Sequence, residues 1–144
     1  MSRIATNAYP LTVYYDGTCP LCVAEMGAMK ARDAAGRLNL VDCSPTGFSG
    51  GPAPREALMT AMHAVDAAGR VLDGVAAIRA CRGAVGLPTG GFLLDLPVVG
   101  ALADRAYAVL ARHRYRVPRW LVARLAGRGA IAPATCADHD NCRL

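Results

Sequence analysis

Near the start of this chain a strand, a Cys-x-x-Cys and a helix follow one another without a gap. That junction constrains the fold more than any other stretch. Leu11-Thr12-Val13-Tyr14-Tyr15 is rich in β-branched and aromatic residues and reads as a strand. Asp16-Gly17-Thr18-Cys19-Pro20-Leu21-Cys22 comes next. Pro20 to Ala35 then reads as a helix, with Val23, Met26 and either Met29 or the stem of Lys30 on one face and Gly36 as its stop. Pro20 suits a first helical turn, where a missing N–H costs nothing. Cys19 therefore falls at the N-cap, where converging N–H groups and the positive end of the helix dipole favour thiolate over thiol. Leu38 to Val41 is a second short apolar run, ending at Asp42. Strand, helix and strand within about thirty residues make a βαβ unit with parallel strands and a right-handed crossover.

The chain beyond extends this unit. Pro45 to Pro54 is a Gly- and Pro-rich loop, and Arg55 to Ala61 is a short helix. Met62 to Asp66 reads as a third strand, Ala67-Ala68-Gly69 as a turn, and Arg70 to Leu72 as the hairpin partner. Gly74 opens a helix over Val75 to Gly83. The order β-α-β-α-β-β-α is that of the thioredoxin fold, an α/β mixed sheet with helices on both faces. After Pro88 the pattern becomes helical. Val98, Val99, Leu102, Ala106, Val109 and Leu110 form a stripe within Leu96 to Arg114, and Trp120, Leu121 and Leu125 supply the apolar face of Pro118 to Leu125. About forty residues cannot bury enough surface alone, so we expect a C-terminal helical extension packed on the core. The expected organisation is one domain over 1–144: a core at 9–86, the extension at 87–127, and a Gly-, Ala- and Pro-rich irregular tail at 128–144.

Composition narrows the class. A hydrophobic fraction of 53% and a mean hydropathy of +0.25 suit a compact globule and exclude a disordered chain. Met1 to Pro10 has no basic flank followed by an apolar core, so no signal peptide is expected. The most apolar stretch, Gly90 to Val109, is interrupted by Asp95, Asp104 and Arg105, so neither a transmembrane helix nor membrane association is expected. A cytoplasmic setting follows as the default, and there six cysteines point to chemistry or metal more than to a disulfide framework. The net charge of +5 is carried by arginine, with Lys30 the sole lysine. Arg105, Arg112, Arg114, Arg116, Arg119, Arg124 and Arg128 cluster late and read as solvated helix faces. No nucleic-acid motif accompanies them, so no nucleic-acid partner is expected.

The expected chemistry is thiol-disulfide exchange, without cofactor or resident metal. Cys19 is the candidate nucleophile, expected to be the more exposed thiol with the lower pKa. Cys22, one turn in, is expected to be more buried and to resolve the mixed disulfide. Asp16 has two readings. Its carboxylate can accept or relay the proton of Cys22, or it can bond the backbone N–H groups of an Asp-Gly turn. Its charge near Cys19 would oppose the helix dipole. Cys43 follows the second strand, and parallel strands end on one sheet edge, so it is expected near the Cys pair, as a third redox thiol or a small buried hydrophobe. Cys81 reads as core and His63 as structural. Cys136-x-x-His139-x-x-Cys142 is either a three-ligand metal cluster or a peripheral disulfide or pair of free thiols. A disulfide-containing protein or a small-molecule thiol is the expected partner. Two other readings stand beside exchange. In one, Cys19, Cys22 and Cys43 hold zinc or copper(I). In the other, the Arg-rich helices dock a partner and the Cys pair senses redox state.

Asp16-x-x-Cys19-x-x-Cys22 after a Tyr-rich strand resembles the signature of the DCC family of predicted thiol-disulfide oxidoreductases. Met62-His63 before Asp66, then Gly69-Arg70-Val71 and Gly74, is similar to that family's hairpin segment. Tyr107, Ala111, His113 and Arg114 resemble its late helical segment, with His113 where Asn often precedes the Arg. The resemblance runs from about Leu11 to Trp120 and implies a thioredoxin-like fold and redox activity through the Asp-Cys-Cys set. Most thioredoxin-like enzymes carry a cis-proline before the third strand; here Ala61-Met62 stands at that place.

Overall fold

β1, Leu11–Tyr15, is the strand on which the sheet is built. In the computed structural model, which describes residues 9–126, it lies between β2, Leu38–Asp42, and β3, His63–Val65, and β4, Val71–Asp73, closes the far edge. β1 and β2 run parallel with Leu11 opposite Leu38 and Tyr15 opposite Asp42. β3 runs antiparallel to β1, with His63 opposite Tyr14, and β4 runs antiparallel to β3. The sheet order β2-β1-β3-β4 is the mixed thioredoxin-like sheet that the element order implied.

The two-residue period of the strands sorts their side chains. Leu11, Val13, Leu38, Leu40 and Ala64 are buried on one face, against Met26 and Met29 of α1 (Pro20–Lys30) and Ala77, Ala80, Cys81 and Ala84 of α3 (Gly74–Ala84). Leu11, Met29 and Leu38 are essentially inaccessible, and each such side chain contributes about 2 kcal/mol relative to exposure. On the other face the Tyr14 ring meets Phe48 edge-on at 6.4 Å, near Leu58 of α2 (Arg55–Thr60).

Several boundaries differ from the sequence reading. α1 ends at Lys30 rather than Ala35. The reason is Asp33, whose carboxylate accepts from the backbone N–H of Arg37 (2.7 Å) and Leu38 (3.0 Å) and pairs with Lys30 Nζ (3.2 Å). These bonds offer the backbone a turn in place of another helical turn. β3 is shorter than Met62–Asp66 because side chains take over part of the backbone bonding at both ends. Met62 N–H donates to the Tyr107 hydroxyl (2.9 Å), and the buried Asp66 carboxylate accepts from the N–H groups of Ala68 and Arg70 (2.9 Å each). β4 accordingly starts at Val71, not Arg70.

The helical extension is the larger correction. α4, Pro97–His113, and α5, Arg119–Ala126, form close to the expected places, separated by a 3₁₀ turn at Arg114–Arg116. Yet no residue of α4 is fully buried. Val98, Leu102 and Val109 of the expected core stripe are exposed, as is Trp120, the expected anchor of α5. α5 lies against α1, with Val122 buried, and α4 turns Val99, Ala103, Tyr107 and Ala111 inward. The apolar stripe identified the helix but not the side it buries, because Ala- and Val-rich sequence surrounds the whole of it.

Candidate active site

β1 hands the chain to α1 through a tight turn held by two carboxylates. Asp42, at the end of β2, accepts from Gly17 N–H (2.9 Å) and Ser44 N–H (2.8 Å) through one oxygen. A Cβ at Gly17 would collide with that carboxylate, so the approach requires glycine. Asp16 accepts from the N–H (2.9 Å) and hydroxyl (2.6 Å) of Thr18 through Oδ1. The turn delivers Cys19 to the N-cap of α1 with Pro20 in the first turn, as the sequence implied. Cys22 N–H donates to Cys19 Sγ at 3.4 Å, so the helix start points a donor at the first sulfur.

Charge and access divide between the two thiols. The Cys19 thiol is pulled down to about 6, first by a hydrogen bond from the Cys22 side chain, against the cost of burial, with the Cys22 and Leu21 N–H groups and the Arg114 charge assisting. The Cys22 thiol is pushed far up, by holding its proton on Cys19, by burial and by the Cys19 charge. This order of acidity is the expected one. The order of exposure is reversed: Cys19 is 0% exposed, whereas Cys22 is only partly buried.

Asp16 is buried, and its second oxygen faces the C-terminal end of α4. Arg114 Nη2 donates to Asp16 Oδ2 at 2.9 Å, and the Tyr115 hydroxyl donates to the same oxygen. Burial alone would raise the Asp16 carboxyl. The hydrogen bonds from Thr18 and Tyr115 and the Arg114 charge outweigh it and hold the carboxyl below its usual range. The turn role is therefore realised, and the charge of Asp16 is met by Arg114, while its field raises Cys22. Arg114 also donates through Nη2 to the Met59 carbonyl and, through Nη1, lies 3.9 Å from Cys22 Sγ.

Arg114 is the site residue that sequence reasoning missed. The solvated-face reading holds for Arg105, Arg112, Arg116, Arg119 and Arg124, which are exposed, and fails for Arg114, which is buried. Its place after Tyr107 and Ala111 in the family-like late segment was the available signal. Tyr107 was missed likewise, and its hydroxyl secures Met62 at the place where a cis-proline was absent.

The other cysteines are placed apart in role. Cys43 N–H donates to the Tyr15 carbonyl (2.9 Å), which sets Cys43 at the same sheet edge as the Cys pair. Its thiol is buried and raised to about 11, first by burial and then by Asp42. Cys81 lies in the core, raised to about 12 by burial. His63 is nearly buried, with Nδ1 2.8 Å from the Ala61 carbonyl. Among the described residues, no three His, Cys, Asp or Glu side chains are grouped closely enough to share a metal ion. Cys136, His139 and Cys142 lie outside the described residues, as does Arg128. No helix among the described residues is long and apolar enough to cross a membrane.

Comparison with known proteins gives a family whose match spans this site. The family model of DCC1-like thiol-disulfide oxidoreductases matches residues 13–120. A protein of Arabidopsis thaliana described as uncharacterised and chloroplastic, At5g50100, is 31% identical over 144 residues. That match takes in 94% of this chain and 66% of the relative, so the chain spans just under two thirds of that protein's length. No solved structure matches significantly.

Proposed function

This chain belongs to the DCC1-like thiol-disulfide oxidoreductase family, and from that premise we propose that it reduces protein disulfides with Cys19 as the attacking thiolate and Cys22 as the resolving thiol. The observation that carries the reading is the polarisation of the pair: one sulfur holds a negative charge that the other sulfur's proton, two N–H groups and Arg114 all support. A thiol at about 6 is roughly nine-tenths ionised at neutral pH, whereas one at or above the ordinary value is ionised by a few per cent or less. The gap is more than tenfold in attacking species and favours Cys19 despite its cover.

The steps balance as follows. Cys19 thiolate attacks one sulfur of the substrate disulfide, and that S–S bond breaks, releasing one substrate thiolate. Cys22 then loses its proton to solvent or to the departing thiolate and attacks Cys19 Sγ. The mixed disulfide opens, the second substrate thiolate leaves, and Cys19–Cys22 becomes the disulfide. Two electrons pass to the substrate, and an external dithiol must return them. Asp16 acts here by holding Arg114 against the pair and by keeping the proton on Cys22. The cytoplasmic setting inferred from the sequence stays part of this proposal, with cell fractionation as its check.

Mass spectrometry of two variants tests the roles. Cys19→Ser abolishes exchange and forms no adduct with a disulfide substrate. Cys22→Ser accumulates a mixed disulfide through Cys19, because the first attack survives and the escape step is lost. The opposite pattern reverses the roles. Absence of adducts in both variants, with zinc or copper bound to the native protein, replaces exchange with thiolate metal binding.

A further inference from the structure

Beside the Cys pair lies a cavity of about 300 Å³. Leu21, Met26, Leu58, Met62, Ile78 and Leu110 give it an apolar wall, and Cys22, Asp16, Glu25 and Arg114 line it beside the tyrosines Tyr15 and Tyr107. Cys22 lines it and Cys19 does not. Its volume is at the lower limit for a ligand pocket, suited to one or two side chains rather than a cofactor.

Arg114 adds a second observation. Its side chain is 9% exposed, and its Nε is buried with no hydrogen-bond partner among the described residues. That atom is itself sealed from the cavity, so Arg114 contributes a closed polar wall rather than a donor to an occupant. The charges of the wall are met from within the protein: Arg114 by Asp16 at 2.9 Å and Glu25 by Arg82 at 3.1 Å. With no free charge to pair and an apolar lining, the cavity suits an uncharged apolar body, and a peptide residue with a large apolar side chain supplies one.

We propose that this cavity selects the substrate: it receives a large apolar side chain next to the reacting cysteine of a polypeptide disulfide. The inference rests on the exchange reading above and deepens it. Cys19 and Cys22 adjoin, so a substrate sulfur bonded to Cys19 brings the neighbouring residue, about 3.8 Å along the chain, to the wall that Cys22 forms. The same reasoning disfavours glutathione disulfide, which is small, polar and multiply anionic.

The test compares disulfide-linked peptides that differ only in the residue beside cysteine: leucine, alanine or aspartate. Glutathione disulfide and bis(2-hydroxyethyl) disulfide serve as references. The leucine peptide is expected to exceed the alanine peptide in kcat/KM by about tenfold to a hundredfold, which is what burying a leucine-sized side chain is worth. Aspartate and glutathione disulfide should fall lower still. Ala111→Phe, which fills the cavity, and Leu110→Asp, which charges its partly exposed rim, should each bring the leucine-to-alanine ratio to within about twofold. Equilibrium binding of the same peptides with serine in place of cysteine separates recognition from chemistry. Rapid reduction of all peptides at rates within twofold, with no leucine preference in binding, overturns the inference and leaves the exchange reading intact. Leucine-selective binding without reduction of any disulfide keeps the cavity as a peptide site and removes the exchange reading. No reduction and no selective binding overturns both.

Discussion

The two ends of α4 have opposite relations to the rest of the molecule. Toward the N-terminal end, Val98 and Leu102 face outward and touch little. Toward the C-terminal end, Tyr107 and the adjoining Arg114 and Tyr115 reach the sheet edge and the turn before the Cys pair, holding Met62 N–H, the Met59 carbonyl and Asp16. Burial of apolar area therefore does not explain why this helix follows the thioredoxin-like core. Its C-terminal end delivers one cation to a buried carboxylate and a pair of thiols. A helix can serve a site strongly through a few polar contacts while contributing little to the core, and the two roles predict very different costs of substitution.

The largest effect belongs to Arg114. Arg114→Met keeps much of the bulk and leaves the buried Asp16 carboxylate with only its Thr18 and Tyr115 hydrogen bonds, a loss of about 3 kcal/mol, the low end for breaking a buried pair. Asp16→Asn combined with Arg114→Met should cost less than the sum of the single changes, because the stranded charge is gone. Denaturant midpoints of the four proteins measure the coupling, and simple additivity would show that the pair is idle. The same variant tests the electrostatics. Iodoacetamide trapping of reduced Cys19 should rise through a midpoint at about 6 in the native chain and through a higher one in Arg114→Met, since the charge that supports the thiolate is missing. The linkage has a definite sign. Cys19 is lowered in the folded state, so its ionisation stabilises the reduced protein fully above the unfolded-state value near 8.5, and this contribution is lost as pH falls through about 6.

Tyr107→Phe comes next. It keeps the ring against α3 and removes only the hydroxyl that accepts from Met62 N–H. One unsatisfied backbone donor beside the core costs about 1–2 kcal/mol. Urea unfolding with an unchanged m-value should read that loss, and a cost near zero would mean that water replaces the hydroxyl.

The same comparison explains what could be read from the sequence. The strands were legible because Leu11, Val13, Leu38 and Leu40 alternate with polar or half-buried neighbours, and that period admits one buried face. The Cys19 N-cap was legible because Pro20 fixes where the helix begins. α4 was legible as a helix but not in its facing, since small and apolar residues surround it. Arg114 was hidden among exposed arginines of the same segment. Only the fold brings it to Asp16, 98 residues earlier, and no local pattern encodes that approach. The exposure of the thiols was misjudged for a related reason. An N-cap position bears on the charge of Cys19, but its burial depends on packing that only the fold brings together.

The smallest effect should come from the outward face of α4. Leu102 is 60% exposed, with Val98 one turn before it and Val109 two turns after it on the same face. Leu102→Gln exchanges one good helix former for another and exposes no new cavity, so stability should stay within about 0.5 kcal/mol. Val98→Gln and Val109→Gln should behave alike, with a slight gain where a β-branched residue is replaced in a helix. Thermal unfolding of the three variants and of the triple checks this, with Val109 expected to add independently and the neighbours Val98 and Leu102 to couple by no more than about 0.5 kcal/mol. A loss above about 2 kcal/mol in any of them would mean that this face is covered in the native protein. The contrast between the two ends of the helix would then disappear, and α4 would be held by its apolar stripe after all.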